Sequence, residues 1–395
     1  MRSQSSPTGT AVSSLSPRAS WWRAEGLYLA LVLVAAALLV FLYGRIDYTV
    51  EPYASADLYH YRLIAQMAPG LPVGVQRPFA FRLLGPYLAG LLPWPDATAF
   101  YRLTVVTALV LAVATYGFLR SHAIRPGTAV LTTFFFLSNR YLFGFHIWDY
   151  FQINDLLVLL FLVGLFWALE RQRYGVFAVV LAVAVLTRET ALLPVPVAFV
   201  YLWERGRLRA EAVRLLVACL PGLALFGLVR IVIEPVGGLG LVAAGLRYAP
   251  KLAQPETLLR LLVTPFIPFV ALPLLFWRSS LAFFRRRRYL LAYLALVFAS
   301  TLFGSNNERL MAPAFLVFYL LIAVLIQRHL ADRPWPTVLL PVAAALAGLS
   351  HEWARFPLPD RRLTMGLSLG ALLVITLAVL PTAVRQGFGK AYGDD

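Results

Sequence analysis

The chain has 395 residues, 60% of them hydrophobic and only 14% charged, with a mean hydropathy of +0.74. Soluble domains carry roughly 25% charged residues, so the composition excludes a water-soluble protein and implies an all-α, polytopic integral membrane protein. The formal charge of +16 does not point to nucleic acid, because the basic residues sit in short clusters between apolar spans.

Residues 1–25 are Ser/Thr-rich, with Arg18 and Arg23 ahead of the first span, and read as a disordered tail before an uncleaved anchor. Apolar spans follow near 26–43, 97–119, 127–138, 154–169, 175–187, 190–203, 213–233, 261–277, 289–304, 313–326, 337–350 and 364–383. A helix needs about 20 residues to cross hydrocarbon, so several of these must tilt or stop part-way. Leu83–Leu92, bracketed by Pro86 and Pro93, reads as a re-entrant or interfacial helix. The count is eleven to thirteen spans, with twelve preferred, in one transmembrane domain over 26–383; residues 384–395 form a second tail.

Twelve spans put both termini on one side. With the N-terminus inside, inner segments hold 20 basic and 7 acidic residues, against 15 and 12 outside. The positive-inside rule therefore places both tails in the cytoplasm of a bacterial inner membrane and turns the 44–82 loop outward. Cys219 stands alone in an apolar span, so disulfides are excluded. The five histidines lack ligand spacing. Neither a phosphate-binding glycine loop nor a nucleophile elbow appears, so energy must come from gradients or from a substrate activated in the membrane.

The outward 44–82 loop gathers Asp47, Glu51, Asp57, Tyr61, Arg77 and Arg82. Such polar groups at one face of a greasy chain mark a place where something polar is handled. Asp57 opens an amphipathic segment in which Tyr61, Ile64, Ala65 and Ala68 share a face; its carboxylate is either an N-cap or a general base. Arg77 and Arg82 flank Pro78 and are either interfacial anchors or a fork for lipid phosphate.

In the second outer loop Asp149 lies between Trp148 and Tyr150 and is the next acid candidate, with Arg140 nearby as a phosphate-binding candidate. Asn154 and Asp155 read as a helix start, a structural role. Arg188 and Glu189 interrupt a 29-residue apolar stretch. Two short helices meeting there would set the pair at the floor of an outward cavity, as a structural ion pair or as substrate contacts. Ser305 and Glu308 match a capping box, which leaves Arg309 unexplained at an outer helix end.

The order of these features resembles the multi-spanning GT-C glycosyltransferases. The resemblance rests on Asp57, Tyr61, Ile64 and Ala65 after one helix, the entry from Arg77 to Pro86, and the Leu-Thr-Arg-Glu-Thr break ending at Thr190. It covers roughly residues 25–330. It implies a transferase that uses a polyprenyl-phosphate sugar, with a glycan, lipid or protein acceptor, membrane lipids around it and no nucleic acid. The catalytic acid of the first outer loop maps onto Asp57, or failing that Asp47 or Glu51, and the assisting acid of the second onto Asp149. The acidic doublet of better-known members is absent, since Asp47 and Glu51 are four apart. No cofactor is implied and the metal requirement stays open. The chemistry fits independently, because one carboxylate can deprotonate an acceptor hydroxyl and arginines can stabilise the departing lipid phosphate. A transporter or flippase of a lipid-linked sugar is the rival reading, against which stand the lack of two related halves and the charges at helix ends.

Overall fold

A computed structural model describes residues 17–48, 57–356 and 360–385, and all structural statements concern these. Nearly every element is helical; the described backbone has no strand, only an isolated bridge between Tyr43 and Ala354. Membrane burial demands this, because helices satisfy their own backbone hydrogen bonds.

In chain order α1 is Pro17–Leu42, α2 Leu58–Met67, α3 Leu84–Gly90, α4 Asp96–Ser121, α5 Pro126–Leu137 and α6 Phe145–Trp148. Then come α7 (Ile153–Glu170), α8 (Tyr174–Ala184), α9 (Pro194–Glu204) and α10 (Leu208–Val232). The short α11 (Leu241–Tyr248), α12 (Pro255–Leu262), α13 (Ala271–Leu275) and α14 (Trp277–Arg285) lead to α15 (Arg288–Ser300) and α16 (Asn307–Leu310). The chain ends with α17 (Phe315–His329), α18 (Pro336–Leu349) and α19 (Arg361–Arg385). Prolines at the first turns of α5, α9, α12 and α18 start helices whose missing amide costs nothing there.

Six segments are long and apolar enough to cross a bilayer, and α5, α8, α15 and α18 are shorter apolar helices. Together they form the helical bundle of a polytopic membrane protein. Burial sorts them. The windows around α7 and α17 are 78% and 72% buried, those of α1, α10 and α19 only 22%, 22% and 28%. The apolar outer faces of α1, α10 and α19 belong to lipid, while α7 and α17 form the axis of the bundle.

The axis has two polar ends. At one, Glu25 accepts from Tyr116 (2.8 Å) and Arg120 (2.9 Å), while Glu170 accepts from Tyr289 (2.6 Å) and lies 3.1 Å from His122. Glu211 meets Tyr174 at the same end. At the other end lie the start of α7, the segment before α17, and α2 and α3. Here α2 packs Leu58, Tyr61, Ile64 and Ala65 inward against α3 and residues 79–81, so it caps protein instead of lying free on a leaflet. The short helix expected over Leu83–Leu92 appears as α3, seated between α2, α4 and α7.

Candidate active site

The site grows from the first turn of α2. Asp57 sits in the helical region (φ −52°, ψ −19°) and makes no capping hydrogen bond, so the cap reading is corrected. Its carboxylate is taken by long-range partners: Gln152 Nε2 donates to Oδ2 at 2.8 Å, and Arg309 Nη1 lies 3.6 Å away. The side chain remains 33% exposed, which leaves it reachable.

Asp149 lies beside it, nearly buried. Tyr48 donates to its Oδ1 at 2.6 Å. Burial pushes the Asp149 carboxyl up to about 6, opposed by the Tyr48 hydrogen bond and Arg309, with the Asp57 charge adding to the rise. Burial and the Asp149 charge in turn raise the Tyr48 phenol, so its proton stays in place to be donated. Gln152 reaches both carboxylates and ties them into one unit.

Deeper in, Asp155 is the hub. Arg188 Nη1 approaches Oδ1 at 2.6 Å, and Arg309 Nε donates to Oδ2 at 2.7 Å. The side chain is 2% exposed, so Asp155 is no mere helix-start residue, and that reading is corrected. Arg309 Nη2 also donates to Gln152 Oε1 at 3.1 Å, so one guanidinium spans Asp57, Gln152 and Asp155. His146, wholly buried 3.8 Å from Asp155, is pushed down to about 4 by burial and is neutral at neutral pH.

Arg188 and Glu189 do not pair with each other, which corrects the adjacent-pair reading. Backbone at Arg188 is extended (φ −155°, ψ 156°), so successive side chains point opposite ways. Arg188 goes to Asp155, while Glu189 accepts from Arg82 Nη2 and Arg230 Nη2, each at 3.2 Å. Arg82 is 7% exposed and also reaches the Tyr61 hydroxyl at 3.5 Å. Its position is set by Asn154, which accepts from Gly85 N (2.9 Å) and donates to Arg82 O (2.9 Å). A Cβ at Gly85 would lie 2.4 Å from Ile153 Cγ2, so only glycine allows this approach.

Asp57, Asp149, Tyr61, Arg82, Arg188, Glu189 and Arg309 therefore converge. The other expected members are placed differently. Arg77 is exposed, its backbone N donating to Gly237 O at 3.4 Å. Arg140 donates to Ser368 at 2.8 Å and braces α19. Asp47 is exposed near Tyr150, and Glu51 lies outside the described residues. The capping box is also corrected: Asn306, not Ser305, caps α16 by accepting from Arg309 N at 3.2 Å, and Glu308 faces Arg260 at 3.6 Å.

Sequence reasoning missed Tyr48, Gln152, Asp155 and Arg230. Two signals were present. Asp149, Gln152 and Asp155 recur every three residues at a helix entry, and Arg230 is an ionisable residue inside an apolar span.

Among the described residues no group of three His, Cys, Asp or Glu side chains is arranged for a metal. Instead, four arginines interlock with the acids, and Arg82 Nε, Arg188 Nε and Thr190 Oγ1 are buried without a hydrogen-bond partner. A small cavity is lined by Asp155, Arg188, Thr190 and Arg309 and by five apolar residues from α7 and the segment after Arg309. Buried arginine donors next to a partly exposed carboxylate can hold an anionic group beside a proton acceptor.

No protein-family model and no curated protein matches the chain. Two solved structures are similar: ArnT from Cupriavidus metallidurans in the apo state, and ArnT from the same organism bound to undecaprenyl phosphate. The first has a TM-score of 0.51 at 16% identity, over 93% of this chain and 74% of the other. The second has 0.50 at 16% identity, over 92% and 74%. The chain shares the all-α, polytopic membrane fold of these ArnT structures. That likeness in fold agrees with the family resemblance in the sequence and covers more of the chain than residues 25–330.

Proposed function

We propose that the protein transfers a sugar from a polyprenyl-phosphate donor to an acceptor hydroxyl, at the outer face of a bacterial cytoplasmic membrane. The observation that carries this reading is a one-third-exposed carboxylate, Asp57, held by Gln152 and Arg309 at the rim of a buried arginine array. The fold supports it, as does the undecaprenyl phosphate bound by one similar structure. The arginine-rich opposite end and both tails then face the cytoplasm.

In the proposed reaction Asp57 takes the acceptor's proton as the acceptor oxygen attacks the anomeric carbon. The bond from that carbon to the phosphate oxygen breaks, and the electron pair leaves with the polyprenyl phosphate. One displacement inverts the anomeric centre. Arg82, Arg188, Arg230 and Arg309 stabilise the phosphate charge, acting in a dry site where such interactions are strongest. Asp149, accepting the Tyr48 hydrogen bond, holds Gln152 and thus the orientation of Asp57.

The test is transfer by the full chain in lipid nanodiscs, using a panel of radiolabelled polyprenyl-phosphate sugars and bacterial envelope extract. Label should move covalently from lipid phosphate to acceptor. In sealed vesicles, movement of intact donor between leaflets without a new glycosidic product would establish the flippase reading instead.

A further inference from the structure

Beside the acids, the same end of the bundle carries aromatic rings drawn from two distant segments. Tyr141, Phe145 and Trp148 come from the turn entering α6 and from α6 itself; His351 and Trp353 come from the turn between α18 and α19. The Trp353 ring lies 5.1 Å from Phe145, 5.4 Å from Tyr141, 6.0 Å from Trp148 and 4.2 Å from His351. Backbone bonds fix the turn: Gly44 N donates to Trp353 O and Arg355 N to Leu42 O, each at 2.7 Å. Gly348 admits it, since a Cβ there would lie 1.8 Å from Ser138 O.

This wall is continuous with the site. The Arg309 guanidinium lies 5.7 Å from the Phe145 ring centroid. Trp148 immediately precedes Asp149, and its carbonyl accepts from Ile46 N at 3.0 Å, on the strap that carries Tyr48 to Asp149. An aromatic belt for lipid would spread its rings over separate helix ends. Here rings from two segments close on one another, and Tyr141, Trp148, His351 and Trp353 stay partly exposed. Exposed Glu352 and Arg355 give the turn a charged edge.

A sugar ring has an apolar C–H face and a rim of hydroxyls. Aromatic faces match the first and charged edges the second. We infer that this wall is the acceptor subsite, where a saccharide ring of the acceptor stacks on Trp353 and Trp148 with a hydroxyl directed toward Asp57. The inference rests on the transferase reading, and it gives the last two helices a part in substrate choice.

The test separates acceptor from donor. The full chain in nanodiscs is titrated with envelope glycolipid extract at saturating donor, then with donor at saturating extract. Trp353→Ala should raise the half-saturating extract concentration about tenfold, the effect of losing one good stacking partner, with the donor requirement unchanged. Trp353→Phe should recover most of the loss. Equal change in both titrations, or in neither, overturns the subsite and leaves Trp353 a packing residue. If the intact protein transfers nothing, quenching of its tryptophan fluorescence by delipidated envelope saccharides decides. Quenching lost in Trp353→Ala keeps the subsite although the transferase reading fails; no quenching of the intact protein overturns the subsite as well.

Discussion

The two polar ends of the bundle use the same residue types to opposite effect. At the α4–α7–α15 end, Glu25, Glu170 and Glu211 each meet a tyrosine hydroxyl and one neighbouring arginine or histidine, and their bonds staple one helix to the next. At the site end the partners are shared. Arg309 spans Asp57, Gln152 and Asp155, while Arg82 and Arg230 share Glu189. Burial differs as well: the site acids run from 2% exposed at Asp155 to 33% at Asp57, against 14% for Glu25 and 17% for Glu170. Stapling needs pairs; a reaction site needs charges held in place by one another and still open to a ligand. The ends can be told apart by breaking each.

The largest effect belongs to Asp57→Asn. The amide keeps the size of the side chain and can still hydrogen-bond Gln152, so the protein should insert and fold normally. It cannot accept a proton, and such bases contribute about 10²–10⁴-fold in rate. Turnover in the labelled transfer assay should fall on that scale with donor binding retained. Normal turnover would move the base to Asp149 and make Asp57 a holder of Arg309.

Next comes Asp155→Asn, which leaves Arg188 and Arg309 buried without their shared counter-charge. Breaking such a network from one side costs about 3–5 kcal/mol. Thermal unfolding in detergent should show a clear drop in midpoint, partly restored by Asp155→Leu combined with Arg188→Met. An unchanged midpoint would make the network dispensable for folding and purely functional.

Asp149 sharpens the contrast through pH. Its carboxyl is raised from 3.8 to about 6, so between those values the folded state binds a proton that the unfolded state has lost. Stability must therefore fall as pH rises through this window, by on the order of 3 kcal/mol. Asp149→Asn should abolish that slope while the opposite end is untouched. A slope that persists in the variant assigns the titration to another group.

How much of this was legible follows from what each residue's partners are. The membrane class, the short helix α3 and the break at Arg188–Glu189 are written in local hydropathy and proline placement, and all appear in the structure. Asp57 stood out because few acids follow an anchor helix, but its partners did not: Gln152 is 95 positions away and Arg309 meets Asp155 across 154. Asp155 was disguised by a good local role, since an Asn-Asp pair at a helix start explains itself. Arg188 and Glu189, adjacent in sequence, read as a pair because the extended backbone that separates them is set by tertiary structure. Arg77 and Arg82 looked alike, yet one is buried on Glu189 and the other exposed. Periodicity shows where charges lie; only the fold shows which of them meet.

The smallest effect is expected at the other end, from Glu170→Gln. Tyr289 donates to Oε1 at 2.6 Å, and a glutamine oxygen can accept that bond equally well. Only the approach to His122 at 3.1 Å loses its charge, and His122 keeps its second contact with Phe118 O at 3.0 Å. One weakened hydrogen bond costs about 1 kcal/mol. Transfer should be unaffected, since α7 carries the whole bundle length between Glu170 and Asp155. The measurement pairs an unfolding midpoint with the labelled assay. A small shift with full turnover fits a staple. Loss of turnover comparable to that of Asp57→Asn would mean that α7 transmits events at the Glu170 end to the site, and the division of labour between the ends would fail.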